Sequence, residues 1–264
     1  MKKIPLSIIA LCIALCTAAQ QKEGRVIYQR TLQVQLNIND NDHMQMLPKT
    51  RTDKFELSFG SNKSLWKHID EEENTDEMNG NGMRIKMITP GQNDVVFYDF
   101  TNSKKTEQRD VMDKKFIVTD SITKLNWKLT GETQNILGHT CQRGVAQRTG
   151  KRTQTIMDNG KIERKEINDT TNIIAWFTND IPVPAGPEVQ GQLPGLILAL
   201  EMNDGRVEYK ALDIQAKADI ASIKQPVKGK IVTPDEFVKE RNKMVEEMQK
   251  NNQGKGNMQI RIQN

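Results

Sequence analysis

Residues 153–178 read TQTIMDNGKIERKEINDTTNIIAWFT, and this stretch decides the fold class. Two strand-like runs, Thr153–Met157 and Lys161–Ile167, flank Asp158-Asn159-Gly160. An Asn-Gly pair between two such runs favours a tight hairpin turn, because both central positions tolerate positive φ. A third run, Asn172–Thr178, follows. Upstream lie Met83–Ile88, Val95–Phe100, Lys104–Val111, Lys115–Thr119, Leu125–Thr130 and Thr140–Gln147, with turn signals at Pro90-Gly91 and Thr149-Gly150. Residues 24–38 form the first strand, where Leu32, Val34, Leu36 and Ile38 alternate with Gln33, Gln35 and Asn37. Phe55, Leu57 and Phe59 repeat that period of two. Leu196–Leu200 and Gly205–Ile214 read as partners across Asn203-Asp204-Gly205. Strands at this spacing with no helix between them predict a mainly β chain: an antiparallel sheet, a sandwich or an open barrel.

One helix is expected. Thr233 caps it, Pro234 takes the first helical position and Glu236 completes a capping box; Phe237, Met244 and Met248 fall at helical spacing, with Val238 and Val245 beside them. Its charged face places it on the sheet or its rim. Residues 251–264, rich in Asn, Gln and Gly, read as a disordered tail.

The N-terminus carries an address. Lys2 and Lys3 precede an apolar run, Ile4–Cys16, and Thr17-Ala18-Ala19 supplies small residues before Gln20. This is the pattern of a secretory signal peptide cleaved after Ala19, giving a periplasmic or secreted chain. The run falls short of the ~20 residues a bilayer span needs, and a mean hydropathy of −0.65 argues against a multi-span integral membrane protein. Leu11 and Leu15 precede Cys12 and Cys16 where a lipidation site wants a small residue. The domain expectation is therefore a leader over 1–19, one β-rich domain over 20–250 and the tail.

The formal charge of +4 falls to +2 when Lys2 and Lys3 leave with the leader, too little for a nucleic-acid-binding face. Residues 70–82, DEEENTDEMNGNG, read as an acidic flexible surface loop. The spacing of a calcium-binding loop is absent from it. Arg143, Arg148, Lys151 and Arg152 form a basic cluster, read as a solvated hairpin in preference to a contact for an anionic glycan or lipid head group. His43, His68 and His139 sit in no zinc-binding pattern, and neither a phosphate loop nor a nucleophile elbow occurs. No metal or other cofactor is expected. Cys141 is the only cysteine left after leader removal, so it forms no intrachain disulfide. It reads as a buried free thiol. His139, two residues away on a strand, shares its face, but a nucleophile also needs an oriented third group and none is evident.

Residues 173–200 carry a more specific signature. It runs Ile174-Ala175-Trp176-Phe177-Thr178, then Ile181-Pro182-Val183-Pro184, Gly186-Pro187 and Gln192-Leu193-Pro194-Gly195-Leu196-Ile197-Leu198. This resembles the GLPGLI family of exported Bacteroidota proteins. Trp127, Ile136, Gly138, Cys141 and Gln142 extend the likeness upstream. Gln192 stands in place of the motif's first glycine, with Gly191 beside it, and His139 stands where the family often has an aromatic residue. The resemblance implies a curved, bowl- or half-barrel-like antiparallel sheet. It also implies association with an outer-membrane TonB-dependent receptor-type protein, and it brings no catalytic residues.

Read physically, the stretch from Ile181 to Leu200 has one ionisable side chain, Glu188, and a stiff Pro/Gly-rich path. In Leu193-Pro194-Gly195-Leu196 a type II turn is expected, with Gly195 at positive φ. Two readings stand. The segment plugs the sheet and Leu196, Ile197 and Leu198 are core; or Trp176, Pro182, Gly186, Pro187, Leu193, Pro194, Gly195, Leu196 and Ile197 present a preorganised partner surface. Turn chemistry accounts for every Pro and Gly, which favours the plug. For the whole chain the preferred function is a noncatalytic envelope binding or accessory module that holds a partner protein or an apolar or peptide ligand. The alternatives are a purely structural subunit of an envelope complex, and a hydrolase built on convergent carboxylates or on an exposed Cys141.

Overall fold

The computed structural model describes residues 21–33, 50–69, 77–80, 83–86, 91, 93–158 and 161–252. The expected leader, the first strand beyond 33, most of the acidic stretch 70–82 and the tail beyond 252 lie outside them. In chain order the strands are β1 (Gly24–Gln33), β2 (Thr50–Gly60), β3 (Lys63–Ile69), β4 (Glu77–Gly80), β5 (Met83–Lys86), β6 (Val95–Asp99), β7 (Lys104–Val111) and β8 (Lys114–Ser121). There follow β9 (Lys128–Ile136), β10 (His139–Asp158), β11 (Lys161–Thr178), β12 (Leu196–Met202), β13 (Val207–Gln215) and β14 (Lys230–Val232). Helix α1 (Pro234–Asn252) closes the chain.

Twelve strands form one open sheet in the order β14-β8-β7-β6-β3-β2-β1-β13-β12-β11-β10-β9; β4 and β5 pair separately. The chain starts in the middle at β1, meanders outward to β8, crosses to the other edge at β9 and meanders inward to β13. There it pairs with β1 from Arg25↔Gln215 to Leu32↔Val207. The mainly β expectation holds, with one sheet rather than a sandwich or closed barrel. The sheet is mixed rather than wholly antiparallel, because β14 runs parallel to β8. Having crossed from the centre to the far edge, the chain arrives in the direction of β8, and three residues are too few to show periodicity.

Three further expectations change. Thr149-Gly150 is not a turn: Gly150 pairs with Asp169 inside the long strand β10, and ladder pairing overrides local turn preference. Glu77–Gly80, expected within a flexible loop, pairs as β4 with β5, Met78 opposite Ile85. The helix runs to Asn252, two residues into the expected tail. The hairpin at Asn159-Gly160 is borne out by the register, in which Asp158 and Lys161 close the ladder.

The sheet is strongly curved. Trp66 on β3 and Tyr209 on β13 are three strand steps apart, ~14 Å on a flat sheet, yet their ring centroids lie 5.8 Å apart. Tyr28 on β1 and Phe55 on β2 pack into the same aromatic group, 5.3 and 5.1 Å from Trp66. Alternation explains the convergence. Val26, Tyr28 and Leu32 point to one face with Phe55, Leu57 and Phe59, and all are buried. On the opposite face Ile223, following a short 3-10 turn at Ile220–Ser222, covers Leu65 and Phe97.

Helix α1 packs on β8 through Phe116, Val118, Val232 and Met244, with Phe237 edge-on to Phe116. Its capping box is formed: the Glu236 amide donates to Thr233 Oγ1 at 3.3 Å and the Thr233 amide to Glu236 Oε2 at 2.8 Å. Thr233→Ala removes one half of this exchange. It is expected to cost about 1 kcal/mol, read as faster amide hydrogen exchange confined to the first turns of α1.

Candidate functional site

The concave face of the sheet is covered by the chain itself. Residues 179–195, between β11 and β12, cross it and bury Ile181, Val183, Ala185, Val189 and Leu193 in the main core, beside Leu196, Ile197 and Leu198 of β12. The segment carries internal hydrogen bonds, among them Gly191 N to Pro184 O at 2.7 Å and Ile197 N to Ala185 O at 2.9 Å. These bonds satisfy part of its backbone without water. This is the arrangement of a plug.

Its latches were not foreseen in the sequence. The chain has three tyrosines, and all three direct their hydroxyls at this region. Tyr28 donates to Ile197 O at 2.6 Å, Tyr98 to Glu188 O at 3.4 Å and Tyr209 to Glu188 Oε1 at 2.7 Å. Ser64 Oγ adds a 2.6 Å bond to Gln190 Oε1. Glu188 thus ties β6 to β13 across four strand steps. It holds a left-handed backbone, φ 56°, a conformation that costs a non-glycine residue of order 1 kcal/mol or more. Burial raises the ionisation of Tyr28 and Tyr209 well above the ordinary phenol range, so both stay protonated donors.

The motif residues divide by role. Leu193, Leu196 and Ile197 are core. Gly186 and Pro187 are buried, Trp176 and Pro182 half-buried, and Pro194 is exposed. Gly186 lies at φ 155°, and a Cβ there would sit 2.6 Å from that of Ile197. Gly195 does not occupy positive φ, so the expected type II turn is not formed. Close approach explains the glycine instead, because an added Cβ would lie 2.0 Å from the Thr178 carbonyl oxygen. Gly191 has φ 79°, which supplies the backbone freedom that the glutamine at 192 lacks. Gln192 has a task of its own: its Oε1 accepts from the Trp127 indole at 3.1 Å and from the Leu125 amide at 2.9 Å. Trp127 lies over Gly144, where a Cβ would meet its ring at 3.2 Å.

Cys141 is fully buried and unpaired. Its Sγ contacts the His139 carbonyl oxygen at 3.7 Å, not the imidazole. A third group does stand nearby, since Asp180 Oδ2 lies 3.1 Å from His139 Nδ1. No local signal joins residues 41 apart, so the sequence reading missed this pair. Burial, with the Asp180 charge, pushes the thiol up to about 11. These surroundings favour the protonated thiol over the reactive thiolate.

A second polar group lies under the concave face. Arg30 Nη2 donates to Asp53 Oδ2 at 2.9 Å and Arg51 Nε to Asp53 Oδ1 at 3.3 Å, all three side chains being buried. The Arg30 guanidinium also stacks 4.7 Å above the Phe55 ring. Among the described residues, no group of three or more His, Cys, Asp or Glu side chains could hold a metal ion.

Two tests follow. Gly195→Ala is expected to cost about 1–3 kcal/mol or more through the backbone clash, whereas Gly150→Ala, with open space at its Cβ position, leaves the denaturation midpoint unchanged or raised. Thiol reagents should label Cys141 only after unfolding; rapid labelling of the native protein would contradict its burial. The raised thiol also has a linkage sign. The folded state holds this proton more tightly, so its contribution is full below pH ~9 and is lost as pH rises toward about 11. Cys141→Ala should flatten that part of the stability profile.

Comparison with known proteins gives a partial placement. Residues 127–199 match the model of a family described as a protein of unknown function (Porph_ging). The matched span holds Trp127, Cys141, Trp176 and the plug. No curated protein matches the sequence. Among solved structures, PNGF-II in a P21 crystal form is similar at a TM-score of 0.50 with 18% identity, over 84% of this chain and 34% of that one. Its C2 crystal form gives 0.48 and 18%, over 84% and 32%. This chain spans about a third of the length of PNGF-II, and the likeness is one of fold alone.

Proposed function

We propose that this chain is an exported, noncatalytic binding or accessory module of the cell envelope, working beside an outer-membrane receptor or transport assembly of the TonB-dependent type. The leader chemistry and the family resemblance support the location and the kind of partner. The filled concave face argues against a ligand cavity there: an apolar or peptide ligand would have to displace a segment latched by Tyr98 and Tyr209. The buried thiol speaks against the cysteine version of a hydrolase. No helix among the described residues is long and apolar enough to cross a membrane.

The observation that carries the reading is the β10–β11 ribbon. From Arg148↔Thr171 to Asp158↔Lys161 these strands pair only with each other, and no described strand flanks them. At about 3.4 Å per residue the ribbon extends well past the body of the sheet. A two-stranded ribbon is marginal alone in water, and a third strand or a packed surface stabilises it. A partner seated on the ribbon supplies that surface.

The test is affinity capture from the native envelope, with mild crosslinking before detergent and a tag beyond α1. A stoichiometric envelope partner is expected, and it should be lost when the ribbon is shortened to a tight turn between Arg148 and Thr171. Capture of nothing by the wild-type chain would refute the reading; retention by the shortened chain would move the contact elsewhere.

A further inference from the structure

Lysines and exposed aliphatic side chains gather at the outer edge formed by β14. Val227 and Ile231 are each 80% exposed, more than any other large apolar side chain among the described residues. They sit four positions apart in a stretch, Ile220–Pro234, that contains Lys224, Lys228 and Lys230 and no acid. The register Lys230↔Phe116 sets this stretch beside the start of β8, and Gly229 approaches the Lys115 carbonyl closely. Lys114 and Lys115 therefore join the same edge, and half-exposed Met112 stands in the adjoining turn. The acids here are few. Glu240 is bonded to Lys230 at 2.6 Å and Asp110 to Lys115 at 3.5 Å; Glu236, whose carboxylate is turned to Thr233, also lies near Lys230, and Asp113 stands in the turn. Lys114, Lys224 and Lys228 have no acid within ion-pair distance among the described residues.

We infer that this edge docks the protein on an anionic lipid surface, with Val227 and Ile231 entering the headgroup boundary and the lysines meeting lipid phosphates. Charge complementarity fixes the sign of the target. The residue types favour lipid over protein: lysine is depleted at protein–protein contacts, where arginine and aromatic residues dominate. Flexible lysines around aliphatic side chains suit a membrane surface, because the long stems let the ammonium reach phosphate while the apolar tips are buried. The opposite side of β14 is closed by α1 through Val232, so the strand is held rigidly with Ile231 facing out. The inference rests on the exported reading for its membrane, but not on the protein partner. Lipid binding by the purified chain and capture of a partner can each fail alone.

The experiment is vesicle flotation with the mature chain beginning at Gln20. Vesicles of phosphatidylcholine alone are compared with equal parts phosphatidylcholine and phosphatidylglycerol, at low and high salt. Binding to the anionic vesicles, reversed by salt, is expected. Lys224→Gln with Lys228→Gln should weaken it about fivefold for each lysine removed, and Val227→Ser with Ile231→Ser should weaken it at least as much. All four side chains are exposed, so circular dichroism should be unchanged. No binding to anionic vesicles, or undiminished binding by both variants, would overturn the inference. So would loss with the lysine variant alone and full binding by the serine variant, which would identify a surface for an acidic protein or soluble polyanion.

Discussion

An open sheet of twelve strands has to cover its concave face, and here the chain provides the cover from within itself. The hydrogen bond from Tyr28 to the Ile197 carbonyl stands at the centre of that solution. It joins the middle strand to β12, just past the end of the crossing segment, in buried surroundings where an unmet hydroxyl or carbonyl is costly. The curvature, the aromatic group around Trp66 and the buried arginines all presuppose that the face is covered. Remove the cover and a large apolar concavity meets solvent.

That dependence explains the distribution of chemistry. Among the described residues the thiol of Cys141 is buried and His139 is engaged with Asp180. The buried arginines Arg30 and Arg51 share Asp53, an arrangement that becomes costly when one partner is removed.

Much of this was legible in residue order. The period of two around Phe55, Leu57 and Phe59, the Asn-Gly hairpin and the Thr233–Glu236 box are short-range patterns, and each produced its element. The signals that failed compete with long-range pairing. Thr149-Gly150 looks like a turn until Asp169 takes the place opposite Gly150. Gly195 suggested positive φ, yet it is glycine because Thr178, 17 residues earlier, leaves no room for a Cβ. The tyrosine latches and the Gln192 acceptor join residues 21 to 169 positions apart, and no local rule reveals them. The family likeness drew attention to this segment without stating what holds it.

The route of the chain carries one more consequence. The first strand lies in the middle of the sheet, and its second neighbour, β13, is made almost last. The plug belongs to the second meander, whereas Tyr28, Ser64 and Tyr98, which receive it, belong to the first. Each half thus carries something the other lacks, a cover without its seat and a seat without its cover. Such a fold has no internal breakpoint at which inheritance could divide it into two self-sufficient pieces. A gene rearrangement that keeps the architecture has to move the whole circuit from β1 to β13 together, with the ribbon, the β4–β5 hairpin and the C-terminal strap hanging from it.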